Sequence, residues 1–176
     1  MVLKVFQFAS GTVGRHVMKA VLDRKDLDLV GLHVTTPDKV GRDIGEIAGG
    51  RNTGIAATSD IELILQSEAD VVVHSPLPSM VYGDDPGRDL DDICRLLSGG
   101  KSVVTVTGYL YPRAHGNEVL KRLTDACRRG GSRFHSTGLN PGWMGDLVPL
   151  LMSALSRRID RIHVLEISNF QHYPSP

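Results

Sequence analysis

The feature that most constrains this chain lies at its start. An apolar run over residues 2–8 passes directly into Ala9-Ser10-Gly11-Thr12-Val13-Gly14, then into apolar residues at helical spacing, Val13, Val17, Ala20 and Val21. Valine and phenylalanine in the first run favour a strand, and the later 3.6-residue period favours a helix. A strand that turns into a helix through glycines leaves bare main-chain N–H groups at the helix N-terminus, where partial positive charge gathers. A diphosphate can rest there if no side chain blocks its approach, and Gly11 and Gly14 meet that need. Ala9 stands where a full G-x-G-x-x-G fingerprint has its first glycine. The other reading is a tight turn that needs glycine for packing alone.

The alternation continues along the chain. Residues 27–34 are a second apolar run, closed by Thr35-Thr36-Pro37, where proline disfavours regular structure. Residues 45–53 read as a glycine-rich loop and residues 55–58 as a short third strand. Ser59 reads as the cap of a helix through Glu68, with Glu62 at the capping-box position. Val71-Val72-Val73 marks a strand over residues 69–75 covered on both faces, and residues 76–87 read as loop. Helices over 89–97 and 117–129 alternate with strands over 102–106 and 133–136. Strands alternating with helices of about 10–13 residues require parallel pairing through right-handed crossovers. The expected fold is α/β, a doubly wound parallel sheet of the Rossmann type over residues 1–142.

Residues 143–176 behave differently. A helix is expected over 144–157 and a strand over 159–168 whose faces are poorly sorted. Such a strand needs a partner for its backbone. Either it joins a subunit interface or the chain is shorter than the natural protein.

Composition narrows the partners. Lys plus Arg and Asp plus Glu both total 20, so no net field draws the chain to nucleic acid or an anionic membrane. A small neutral or mixed-charge ligand fits better. The opening MVLKVFQFAS lacks signal-peptide character and nowhere do 18 apolar residues run together, so a soluble, cytoplasmic protein is expected. Cys94 and Cys127 read as small buried hydrophobes. The seven histidines show no metal-ligand spacing, and the chain has neither H-E-x-x-H nor G-x-S-x-G, which argues against a metal site and a hydrolase.

An acidic residue at the end of the second strand would bind a ribose 2′-hydroxyl and repel a 2′-phosphate. This strand ends His33-Val34-Thr35-Thr36, and Lys39 and Arg42 follow, which favours NADP over NAD unless both cations are merely solvated loop charges. Three further turns belong at the same edge: His74-Ser75-Pro76, Thr107-Gly108-Tyr109, and Thr137-Gly138-Leu139-Asn140-Pro141-Gly142. His74 reads equally as a structural histidine or as a cofactor contact. No residue declares itself the general acid.

The stretches Gln7-Phe8-Ala9-Ser10-Gly11-Thr12-Val13-Gly14, Val40-Gly41-Arg42-Asp43-Ile44-Gly45 and Thr137-Gly138-Leu139-Asn140-Pro141-Gly142 resemble dihydrodipicolinate reductase-like proteins, particularly the 2,4-diaminopentanoate and related amine dehydrogenases. The resemblance implies a nucleotide-binding domain followed by an α/β substrate domain, begun here by residues 143–176, whose open sheet often forms a homodimer contact. It implies hydride transfer between NAD(P)H and a C=N or C–N bond of a small amine, amino acid or cyclic imine. Ser10, Gly11, Thr12 and Val13 would hold the pyrophosphate, and Ser75 and Pro76, with Thr107 and Gly108 near them, would line the nicotinamide pocket. Asn140, Pro141 and Gly142 would shape the substrate floor. The chain departs from the amine dehydrogenase branch in one place, where Thr107-Gly108-Tyr109-Leu110 stands before Tyr111-Pro112 instead of acidic residues. Neither Thr107 nor Gly108 can anchor an ammonium or shuttle its proton as a carboxylate would. The competing reading is a non-catalytic NAD(P)-binding sensor that signals through the strand over 159–168.

Overall fold

The computed structural model describes residues 2–167, 169 and 171. The chain divides into two compact units, Met1–Ser136 and Thr137–Pro176.

The first unit is built on five parallel strands: β1 (Leu3–Phe8), β2 (Leu27–His33), β3 (Val71–His74), β4 (Ser102–Thr105) and β5 (Phe134–Ser136). They stand in the order β2-β1-β3-β4-β5, and every pairing is parallel. Strand period sends alternate side chains to opposite faces. On one face Val5, Leu29 and Leu32 pack with Met18 and Val21 of α1 (Thr12–Leu22) and with Ile44 and Ile47 of α2 (Ile44–Ala48). On the other, Phe6, Phe8, Val72 and Val103 meet Ile93, Leu96 and Leu97 of α5 (Arg88–Ser98) and Leu123 and Ala126 of α6 (Asn117–Gly130). Helices on both faces of a parallel sheet make the doubly wound, Rossmann-type fold that the alternation predicts.

Residues 55–58 do not form the expected third strand, and Asp43 explains why. Its carboxylate caps α2 by accepting from the Gly45 N–H at 2.8 Å and also takes the Gly54 N–H at 2.7 Å. This folds residues 51–54 back, so that the next residues run past 41–44, with the Ala57 N–H on the Arg42 carbonyl at 2.8 Å. Thr58 then reaches the outer edge of β2, giving its N–H to Leu32 and accepting from Val34. A single bridge thus stands where the third strand of a 3-2-1-4-5 sheet would lie.

Other boundaries move for local reasons. The expected loop 45–53 contains most of α2, which the Asp43 cap starts; its Gly45 serves close approach, since a Cβ there would lie 1.9 Å from the Arg51 carbonyl oxygen. The cap of α3 (Ile61–Gln66) is Asp60, not Ser59, and Glu62 pairs with Arg95 rather than closing a capping box. That helix stops before Glu68, where Ser67 Oγ donates to the Ile64 carbonyl at 2.7 Å. The loop over 76–87 includes a short turn of helix, α4 (Ser79–Tyr82).

The second unit opens with a wide, π-type helical stretch, Leu139–Leu147, in which Asn140 is extended and the Asn140–Pro141 bond is cis. It continues into α7 (Val148–Ser153), so the helix ends before residue 157. Residues 159–167 form no strand, and Ser168 lies outside the described residues. No neighbouring strand among the described residues offers them a ladder, which removes the gain that would hold an extended conformation. No helix among the described residues is long and apolar enough to cross a membrane.

Candidate functional site

The carboxyl ends of the strands gather the candidate residues of the first unit. After Phe8 the chain turns at Ala9, whose φ of +78° lies in the left-handed region that favours glycine. Gly14 then allows α1 to press on β1, since a Cβ there would sit 2.1 Å from the Ala9 carbonyl oxygen. Gly11 has no such reason. Its φ is −66°, and a Cβ added to it would meet nothing within 4 Å. It begins α1 without a side-chain cap and with no acidic residue in the first turn, and Thr12 and Val13 are exposed beside it. The helix N-terminus therefore presents open N–H groups of positive polarity.

Lys39 joins this turn from the far side of β2. Its Nζ donates to Ser10 Oγ at 3.1 Å, so the cation is held at the glycine turn rather than left in solvent. Thr35, exposed, lies between them along the chain.

Beyond the turn, Gln7 and Ser75 link β1 to β3. Gln7 Nε2 donates to Ser75 Oγ at 2.7 Å and to the Ala9 carbonyl at 2.9 Å, bracing the strained turn from below. His74 is fully buried. Its Nδ1 lies 3.0 Å from Thr105 Oγ1, which lies 2.9 Å from Thr107 Oγ1, also fully buried. Burial, then the electrostatic influence of His33 and Arg88, depresses the His74 pKa to about 3, so the ring is neutral. Gly108 follows with φ +104°, and Met80 stands beside it.

A cleft of about 230 Å³ opens at the ends of β1 and β2. Phe8, Thr35, Ile61 and Pro76 line it together with His33, Ser59, Arg88, Asp89 and Asp92. His33 stacks on Phe8, ring centroids 4.3 Å apart at 22°, and its Nε2 lies 3.2 Å from the Ser59 carbonyl oxygen. Burial holds the His33 pKa below its ordinary value. Asp92 is half-buried, and burial followed by repulsion from Asp89 lifts its pKa to about 6.

The structure thus brings Ser10, Gly11, Thr12, Val13 and Lys39 to one turn, and His74, Ser75, Pro76, Thr107 and Gly108 to neighbouring strand ends. Asn140, Pro141 and Gly142 belong to the second unit, where Gly142 packs against the Thr137 backbone. A wider hollow of about 510 Å³ in that unit, between Pro149 and Ile162, holds none of the candidates. Sequence reasoning missed Gln7, His33 and Asp92. The signal for two of them was a polar residue at an inward position near the end of an apolar strand.

Residues 9–84 match the family described as dihydrodipicolinate reductase, N-terminus. An amine dehydrogenase of Streptomyces virginiae is 35% identical over 96% of this chain and 47% of its own length. The 4-hydroxy-tetrahydrodipicolinate reductase of Synechococcus elongatus is 29% identical over 96% of this chain and 58% of its own. Among solved structures, the amine dehydrogenase from Mycobacterium smegmatis superimposes with a TM-score of 0.75 at 25% identity, covering 90% of this chain and 45% of that one. The chain spans about half the length of the relatives it matches.

Proposed function

We propose that this chain, whose residues 9–84 match the dihydrodipicolinate reductase N-terminus, is the NAD(P)-binding part of an oxidoreductase. The reaction is hydride transfer between NADP(H) and the C=N or C–N bond of a small amine, amino acid or cyclic imine. Gly11 carries this reading. Neither conformation nor packing asks for glycine there, whereas a diphosphate against the Thr12 and Val13 amides does.

Ser10, Gly11, Thr12 and Val13 hold the pyrophosphate. Thr35 and Lys39 receive the 2′-phosphate, for which Lys39, tied to Ser10, supplies a placed cation. Ser75, Pro76 and Gly108 flank the nicotinamide, with His74 and Thr107 behind them fixing the edge. Asn140, Pro141 and Gly142 contribute to the substrate side, and residues 143–176 begin the substrate domain of a cytoplasmic homo-oligomer. The coenzyme, when bound, supplies the hydride, and this chain supplies binding and orientation.

Fluorescence titration with NADPH and NADH tests the reading. NADPH should bind more tightly, and Thr35→Asp should reverse the order; unchanged selectivity removes Thr35 from the site. Gly11→Val should weaken both coenzymes by about tenfold or more while changing stability by less than about 1 kcal/mol. Full affinity in that variant would end the proposal.

A further inference from the structure

Resting on that reading, we propose that Asp43 is a positioning residue for NADP selectivity: by tying residues 53 and 54 to the start of α2, its carboxylate fixes the segment that holds the Lys39 ammonium at the glycine turn. Lys39 ends a short 3-10 turn, Pro37–Lys39, which has no side-chain cap and no buried residue. Nothing within that turn anchors it to the core, so the chain on either side fixes its place. On one side β2 ends at His33, and Val34 after it is buried. On the other, the Arg42 N–H donates to the Lys39 carbonyl at 3.2 Å, and the Gly41 N–H to the Ala57 carbonyl at 2.8 Å. Gly41 bends the chain there with φ +81°, a conformation that favours glycine.

Asp43 closes this second anchor. One carboxylate oxygen accepts from the Gly45 and Glu46 N–H groups at 2.8 and 3.2 Å, and from the Thr53 N–H at 3.0 Å. The other faces residues 53 and 54 alone, taking Thr53 Oγ1 at 3.1 Å and the Gly54 N–H at 2.7 Å. A helix cap needs one side-chain oxygen, so the second serves the clamp and not α2. Burial would raise the Asp43 pKa, but these donors outweigh it and hold the carboxyl below its ordinary value, ionised. The clamp delivers residues 55–57 to residues 41–44, where the Ile44 N–H meets the Ile55 carbonyl at 2.9 Å and both Ile44 and Ala57 are buried. From there the Gly41 and Arg42 amides carry the restraint to Lys39, whose Nζ donates to Ser10 Oγ at 3.1 Å.

The test measures NADPH and NADH affinities by calorimetry on the whole chain. Asp43→Asn keeps an oxygen for the α2 cap and sets an amide N–H against the Gly54 N–H. Its preference for NADPH over NADH should fall about fivefold, almost all of it through weaker NADPH binding. In a Lys39→Met background the same substitution should leave the ratio unchanged. An equal loss for both coenzymes overturns the assignment, since that is what simple destabilisation does, and so does an effect on the ratio that survives without Lys39. A second arm uses the wild type alone and so does not depend on any variant folding. Coupling is reciprocal, so saturating NADPH should slow hydrogen exchange at the Thr53 and Gly54 amides by the same factor of about five relative to saturating NADH. Equal protection by the two coenzymes overturns the role of Asp43 while leaving the coenzyme site intact. A wild type that binds neither coenzyme, or binds both equally, sinks the NADP reading itself and this assignment with it.

Discussion

The middle of the sheet and its carboxyl edge follow opposite rules. Across the middle, Val5 and Leu29 are buried with Met18 and Val21 on one face, and Val72 and Val103 with Ile93, Leu96 and Leu97 on the other, with no side-chain polar atom to satisfy. At the edge, the last strand residues His33, Phe8, His74, Thr105 and Ser136 fall in one register row, and four of the five are polar. Among the described residues, the buried side-chain atoms without partners, in Gln7, His33, His74 and Ser136, gather there too. Each such atom costs about 1–3 kcal/mol, a charge that valine at the same place would not incur. Stability accounts for the middle. Contact with something polar accounts for the edge.

The sharpest way to break this contrast is to damage the middle and ask whether the edge notices. Leu96 is fully buried. Leu96→Ala should lower stability by about 3 kcal/mol through lost transfer energy and an unfilled cavity. Coenzyme affinity, measured well below the melting temperature, should stay within about twofold of wild type. A parallel loss of affinity would show that the two zones are not separable.

The two zones also differed in how well the sequence revealed them. Short continuous apolar runs alternating with helical segments announced β1 to β5, and the motif placed Gly11 and Gly14 at the turn although the two glycines serve different ends. Even Ala9 was placed by analogy at a glycine position, and its φ of +78° gives that analogy a physical basis. What stayed hidden depended on contacts distant in the chain. Nothing local told that Asp43 would cap α2 and hold the Gly54 amide as well, and so turn an expected strand into a loop. His33 read as one more strand residue, because its importance lies in the Ser59 carbonyl and the Phe8 ring, neither adjacent in sequence. The strand expected over 159–168 failed for the complementary reason: extended propensity without a paired neighbour does not make a sheet.

A gentler probe acts at the rim of the cleft. Folding raises the Asp92 pKa from its ordinary 3.8 to about 6, so the folded protein holds a proton that the unfolded chain releases. Between those values stability from this group falls as pH rises, and above them the ionised carboxylate is a standing penalty. Discounted for the solvent that reaches this half-buried side chain, the penalty is about 1 kcal/mol. Asp92→Asn should therefore be more stable than wild type by that amount near pH 7.5, with the difference vanishing towards roughly pH 4. His74 pulls the other way: held neutral to about pH 3, it loses stability to the unfolded state as pH falls below its ordinary 6.5. Because His74 is common to both proteins, the difference between their denaturation curves isolates Asp92. A gap that does not close in acid would mean that the carboxylate is not what the asparagine relieves.

The smallest effect expected tests where the zones meet. Ala9 carries the chain from apolar strand to open turn in a conformation that costs an L-residue about 1–2 kcal/mol. Glycine removes that strain but gives the unfolded chain more freedom, worth about 0.4–1 kcal/mol, and the Ala9 methyl also loses some packing against the core. The balance for Ala9→Gly is a gain of about 0.5 kcal/mol, read as a small rise in melting temperature. The Gln7 side chain already grips the Ala9 carbonyl, so the turn should keep its shape and coenzyme affinity should not change. A clear loss of stability would mean that the alanine methyl holds the turn closed by packing, and that the edge is as much a packed structure as the middle.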